Sequence, residues 1–267
     1  MKIDPGKVYN MPLVVGAIFE IADRPRYVCE HVENLILQYQ TDPDAIQNLL
    51  PECYQVGKEP TVTLAFSHND GVEFLAGRGY RLATVMVAAR FDGETDHEEG
   101  NYVVVMFEDD TLPIIGGREH LGVPKIFADI SPIKTLPGSG RLRCEVSLWG
   151  HLLYGVELPP LKEQNAITLG IANRTKMPPY LCYKHIPALD GPPDASYPTL
   201  WKMDTHLNQL WMGKTGEVYI GNPSEEDVSY YAKITTVLAA LPVRKVIQAI
   251  RARGSGVLRY DLYRRLK

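Results

Sequence analysis

"RLATVMVAARFDGETDHEEGNYVVVMFE" occupies residues 81–108, and its reading decides the fold class. The two ends, 81–91 and 101–108, are rich in Val, Met, Phe and Tyr and partly alternate apolar with polar or small residues, the pattern of strands with one buried face. Between them "DHEEG", around His97, reads as a solvated loop and not as a metal site. The same pattern recurs on both sides. "ENLILQYQ" (33–40) and "TVTLAFSH" (61–68) precede it; "RLRCEVSLWG" (141–150), "LLYGVEL" (152–158), "YLCYKHI" (180–186), "TLWKMDTHL" (199–207) and "GEVYIG" (216–221) follow. Turns are marked by "PGSG", "DGPPD" and "GNPS".

Helices are few. In "TDPDAIQNLL" (41–50), Asp42 is placed to cap and Pro43 takes the first helical position, so a short helix should end near Pro51. A second should run through "DDTLPIIGGREHL" (109–121), capped by Asp110 or Thr111, with Pro113 in the tolerated first turn and Gly122 at its end. "EEDVSYYAKITTVLAAL" (225–241) and parts of the tail read as helical. Many strands with intervening turns predict an α+β, mostly β fold: an antiparallel, barrel-like sheet with a few flanking helices, in one domain over residues 1–267.

With 267 residues, 45% hydrophobic and 22% charged, the chain has the make-up of a globular protein with a substantial core. Its net charge of −4 gives no footprint for nucleic acid, and the basic cluster in "RYDLYRRLK" is confined to the C-terminus. "MPLVVGAIF" (11–19) is too short for a bilayer and lacks a basic flank and a cleavage site, so a cytoplasmic protein with no membrane partner is expected. Cys29, Cys53, Cys144 and Cys182 are widely spaced, which suggests buried, reduced thiols. No dinucleotide fingerprint, HExxH or GxSxG elbow is present, so neither a metal nor a nucleotide cofactor is implied. "GKTGE" from Gly213 lacks the upstream glycine of a phosphate loop and reads as a hairpin turn; "NRT" at Asn173 fits a glycosylation sequon but has no secretory context.

One phrase carries chemistry. In "GGREHLGVPKIFADI" (116–130), Pro124 can start a strand on which Lys125, Phe127 and Asp129 share a face. A strand rises about 3.3 Å per residue, so Asp129 lies roughly 13 Å from Lys125 along the chain and the ammonium has no local partner. Lysines usually cover apolar surface with their stems, which is the structural reading of this one. The phrase GRE, four residues, then PK resembles the active-site signature of the acetoacetate decarboxylase family, in which the lysine after the proline forms a Schiff base with a keto acid. "LQYQTDPDAIQNLLPE", "YLCYKHIPALDGPP", "WMGKTGEVYIG" and "LPVRKVIQAI…YDLYRRLK" resemble further family segments in the right order, so the similarity covers nearly the whole chain. "LGVPKIF" is also similar to a second family phrase in which the lysine is structural; the intact GRE-to-PK spacing favours the catalytic assignment to Lys125.

The resemblance implies a cofactor-independent Schiff-base lyase that decarboxylates a small β-keto acid and works as a homo-oligomer. The alternatives are a Schiff-base aldolase or dehydratase of the same superfamily, and a noncatalytic ligand-binding barrel. Only a neutral amine attacks a ketone, and Val123, Ile126 and Phe127 are placed to desolvate it. Where the family has a second lysine this chain has Ile126; where it has an arginine early in the first long strand this chain has Val32. The family's acid before the 81–91 strand falls at Ala76, with Glu73 close by. Arg118, Arg78 and Arg81 are the cations available to hold a carboxylate, with Glu119 and Glu73 as supporting acids. Each also has a structural reading as an ion-pair partner. His120 reads as a partner of a helix C-terminus, and Tyr260 and Tyr263 are placed to close a pocket.

Overall fold

The computed structural model describes residues 26–267; "MPLVVGAIF" lies outside them. Strand β1 (Arg26–Gln40) leads through helix α1 (Pro43–Gln47) and β2 (Tyr54–Val56) to the long strands β3 (Thr61–Val72), β4 (Tyr80–Asp92) and β5 (His97–Glu108). Helix α2 (Thr111–Gly116) and a wide helical turn, Gly117–Leu121, then deliver β6 (Lys125–Phe127). Strands β7 (Asp129–Ile130), β8 (Lys134–Thr135), β9 (Leu142–Leu148), β10 (His151–Leu158) and β11 (Lys162–Glu163) precede α3 (Ala166–Arg174). The chain ends through β12 (Tyr180–Ile186), β13 (Ala195–Trp201), β14 (Met203–Gly213), β15 (Glu217–Ile220), α4 (Glu225–Val228), α5 (Tyr231–Ala239), β16 (Lys245–Arg259) and β17 (Arg264–Arg265).

The main sheet runs β11-β14-β16-β1-β3-β4-β5-β12-β13-β17, with β2 on β4 and β6 on β5; the second sheet runs β15-β10-β9-β7, with β8 on β9. Pairing is antiparallel except where β5 meets β6 and β12. Among the described residues the main path stays open, with β11 and β17 at its ends, so the barrel-like expectation is met only as a mostly β fold with few helices.

Side-chain alternation gives the main sheet two functions. Leu35 and Leu37, Leu64 and Phe66, Val85, Val105 and Phe107 face the second sheet and α5, where they pack with Cys144, Val146, Tyr154, Leu158 and Leu238. Each large side chain buried there is worth roughly 1.5–3 kcal/mol. The residues between them point to the other side: Asn34 and Ile36, Thr63, Ala65 and Ser67, Thr84, Met106 and Glu108 line a cavity. Irregular pairing near Cys29/Val32 keeps both of these residues on that wall, and the extra residue of β5 opposite Val85/Met86 lets Asn101 and Met106, of opposite parity, share it.

Six expectations need correction. "DHEEG" is not a loop, since His97 to Gly100 open β5 and pair with β4. Asp42 does not cap α1; its carboxylate accepts from Arg244 instead. The tail from Lys245 to Arg259 is a strand between β1 and β14, and at Gly254 the neighbouring backbone is so close that a Cβ would lie 1.9 Å from the His206 carbonyl oxygen. "TLWKMDTHL" contains parts of two strands, β13 and β14, separated at Lys202. "GKTGE" is no hairpin, because β14 and β15 belong to different sheets and the turn carries the chain between them. Helix α3 was not expected: Asn165 caps it by accepting from the Thr168 N–H, and Asn173 in the sequon is engaged on both sides of its amide by the Leu207 backbone. The thiols behave as expected: all four are free, Cys53 half-buried and the others buried.

Candidate active site

The helix expected over 109–121 forms as α2 plus the wide turn. The Asp110 side chain accepts from the Leu112 N–H, and Gly122 ends the turn with φ 74°. A Cβ on Gly122 would sit 2.4 Å from Lys184 Cα, so glycine is required by both conformation and space. The turn is tethered from outside by the Thr199 hydroxyl, which donates to the Leu121 carbonyl at 2.8 Å, and by Lys184 Nζ, which donates to the His120 carbonyl at 3.3 Å.

β6 joins the edge of β5 in parallel register, Lys125 opposite Met106 and Phe127 opposite Glu108. Lys125 and Glu108 are therefore diagonal neighbours on one face, within reach of long side chains. Lys125 Nζ donates to Glu108 Oε1 at 2.8 Å and to the Pro113 carbonyl at 3.1 Å. The expectation of an unpartnered ammonium was wrong: its partner comes from the end of β5, seventeen residues earlier, where a purely local distance argument cannot reach. The pair is nearly closed to water, with 12% of the lysine side chain and none of the glutamate side chain exposed. Glu108 Oε2 is buried with no hydrogen-bond partner among the described residues. Burial pushes the Glu108 carboxyl above its usual range, while the charge of Lys125 pulls the other way.

Gly117 is part of this geometry. A Cβ there would stand 2.5 Å from Lys125 Cε and 2.9 Å from Nζ, so the lysine stem lies directly on the glycine backbone. Arg118 explains why GRE and PK keep their spacing: its Nη1 donates to the Lys125 carbonyl at 2.9 Å and ties the turn to β6. Val123 is buried among Met86, Met106 and Trp201, and Ile126 packs into the core between the sheets. Phe127 is 42% exposed and does not shield the amine.

The other named residues are distributed differently. Glu119 is exposed and lies outside the cavity wall, as does Arg78. Glu73 accepts from the Val28 N–H at 3.2 Å, in a short helical turn beside the cavity residue Phe74. Arg81 points away from the cavity, bonding the Ile130 carbonyl through Nη1 and Asp109 through its backbone N–H. His120 stacks on Tyr260, with centroids 5.7 Å apart, and burial together with Lys184 lowers its pKa to about 4. Tyr260 and Tyr263 do line the cavity, and Val32 takes its place on the wall as an apolar residue.

The cavity holds about 410 Å³, a size typical of small-molecule sites. Among the described residues Glu108 is the only carboxylate and Lys125 the only basic side chain on its wall; the other ionisable groups there are Cys29 and tyrosines.

Against known proteins, the family model for acetoacetate decarboxylase matches residues 10–260. The chain belongs to the acetoacetate decarboxylase family. Within that family it is 29% identical over 256 residues to acetoacetate decarboxylase 1 of Mesorhizobium japonicum, covering 92% of this chain and 89% of the relative. It is 28% identical over 280 residues to acetoacetate decarboxylase 1 of Bradyrhizobium diazoefficiens, covering 98% and 97%. The fold matches the crystal structure of acetoacetate decarboxylase from Legionella pneumophila, with TM-score 0.71, 21% identity and coverage of 100% of this chain and 93% of that one. It also matches the enduracididine biosynthesis enzyme MppR complexed with pyruvate, with TM-score 0.69, 16% identity and 98% coverage of both chains.

Glu108 is the residue that sequence reasoning missed. A signal for it exists: in "NYVVVMFE" it shares strand parity with Met106, which puts a carboxylate on the inward face of an apolar strand.

Proposed function

We propose that this protein is a Schiff-base lyase whose nucleophile is Lys125 and whose nominal reaction is the decarboxylation of a β-keto acid. The observation that carries the proposal is the buried contact between Lys125 Nζ and Glu108 Oε1 at 2.8 Å, open on one side to the cavity. In so dry a setting a proton can pass from the ammonium to Glu108 and leave two neutral groups. The amine then attacks the ketone carbon to give a carbinolamine. Glu108 supplies the proton with which the hydroxyl leaves as water, and the iminium remains. The bond to the carboxylate breaks, its electron pair moves into the iminium as CO2 departs, and the resulting enamine is protonated at carbon. Addition of water releases the ketone and restores Lys125.

Gly117 and Arg118 are positioning residues in this scheme: one gives the lysine stem its bed, the other fixes the backbone that carries it. Glu73, Glu119 and Arg78 are proposed only as supports outside the cavity wall. The wall draws on β1, β3, β4 and β5 and also on β13, β14 and β16, which supports a sheet curled around the site in a barrel-like way. Exposed Ile167 and Ile171 on α3 support a homo-oligomer. Among the described residues no helix is long and apolar enough to cross a membrane, which is compatible with a cytoplasmic enzyme.

A second reading is favoured by the cavity size. The enamine on Lys125 could attack a second carbonyl compound in an aldol addition; the relative MppR has been crystallised with a condensation product of pyruvate and imidazole 4-carboxaldehyde. Measurement of CO2 release from acetoacetate separates the two. Release by the wild type that is lost in Lys125→Ala supports decarboxylation. Imine formation without CO2 release rules it out and leaves the aldol reading.

A further inference from the structure

The strand register sets the distance scale of the cavity. Glu108 of β5 stands opposite Leu82 of β4, Leu82 opposite Ser67 of β3, and Ser67 opposite Asn34 of β1, so the four lie in one row across the sheet. All four line the cavity. Neighbouring strands are about 4.8 Å apart, which puts Ser67 about 10 Å from Glu108 along the wall, with Asn34 one strand further. Asn69, two residues after Ser67, faces the same space.

This far end is polar and uncharged. The Ser67 hydroxyl donates to Asn34 Oδ1 at 2.5 Å and also faces Asn69 Oδ1 at 3.4 Å. With both amide oxygens turned to the serine, both NH2 groups are left as donors, and neither has an acceptor among the described residues. Asn69 and Ser67 are themselves buried, at 5% and 9% exposure. Neither amide nitrogen is sealed off, so both donors look into the cavity, where an acceptor brought by a ligand can meet them. A carboxylate is a poor candidate, because among the described residues no cation lies at this end to offset its desolvation.

We propose that the substrate is an extended, largely apolar carbonyl compound that carries an uncharged oxygen acceptor, a hydroxyl or a second carbonyl, about 10 Å from the carbon joined to Lys125. This rests on the Schiff-base reading above. For a β-keto acid, the departing carboxylate would sit beside Lys125 while the rest of the molecule reaches along the row towards Asn34 and Asn69. A short keto acid would leave the asparagine end unfilled.

The test is borohydride trapping on the full chain, with the adduct on Lys125 measured by mass spectrometry against probe concentration. Three probes are compared: acetoacetate, a methyl ketone of about eight carbons, and the same ketone with a terminal hydroxyl, whose reach matches the register distance. The hydroxy ketone should half-saturate at about tenfold lower concentration than the plain ketone, and the plain ketone below acetoacetate. In Asn69→Ala and, separately, Asn34→Ala, the ratio between the two ketones should fall towards one; because it is a ratio within each variant, partial loss of folded protein does not alter it. Equal half-saturation of the two ketones in the wild type, or acetoacetate binding more tightly than both, overturns the proposal while the Schiff base stands. Failure of every probe to label Lys125 overturns both.

Discussion

Replacing Glu108 by glutamine and Lys125 by methionine, singly and together, asks whether the buried pair acts as one unit. At 2.8 Å and an effective dielectric of about 20, the attraction is about 6 kcal/mol. Most of this is offset by the cost of removing both groups from water. Taking away one partner leaves the other buried without its counter-charge, for which a cost of about 3–5 kcal/mol is usual. Both survivors have a way to soften it. In Glu108→Gln the amine can shed its proton, and in Lys125→Met the carboxyl, already pushed up by burial, can keep one. Each single variant should therefore lose about 2–3 kcal/mol, and the double variant, with no charge left in the site, should lie within about 1 kcal/mol of the wild type. The coupling is then about 3 kcal/mol or more. In thermal melts at about 2–4 °C per kcal/mol, each single variant drops by about 5–10 °C and the double by less than about 4 °C. Urea denaturation of the four proteins measures the same cycle. Additive losses, with the double variant as unstable as the two singles combined, would refute the claim that these side chains share one buried site.

Gly117→Ala should retain the fold but lower turnover and Lys125 trapping by at least about tenfold, since the new methyl would stand 2.5–2.9 Å from the lysine side chain; an unimpaired variant would mean the lysine need not lie where it does. Stability should depend on acid through His120. Its folded pKa of about 4 lies below the ordinary 6.5, so its contribution is complete above about pH 6.5 and is lost as the pH falls towards 4, by about 3 kcal/mol at most. His120→Phe should flatten the pH dependence of urea midpoints across that window, and an unchanged slope would contradict the assignment.

Much of the fold was legible because a strand with one buried face writes its alternation into the sequence, as "TVTLAFSH" and "RLATVMVAARF" do. The segment 245–259 was not. It is flanked by strands on both sides, and its Ala, Arg and Gln favour a helix intrinsically; its pairing with β1 and β14, and the close backbone approach at Gly254, are features propensity does not register. In the site, Lys125 could be found because the signature is contiguous. Glu108 could not be paired with it from sequence, because their contact depends on β6 joining β5 in parallel with one particular register. Nor could the row from Glu108 to Asn34 be seen, since it crosses four strands through three independent pairings.

The central claim is that Lys125 is the nucleophile. It is tested most directly by incubating the protein with acetoacetate or pyruvate, reducing with borohydride, and locating the adduct by peptide mass spectrometry. The account predicts a single reduced adduct on Lys125, lost in Lys125→Ala; an adduct on another lysine that persists in that variant would contradict it.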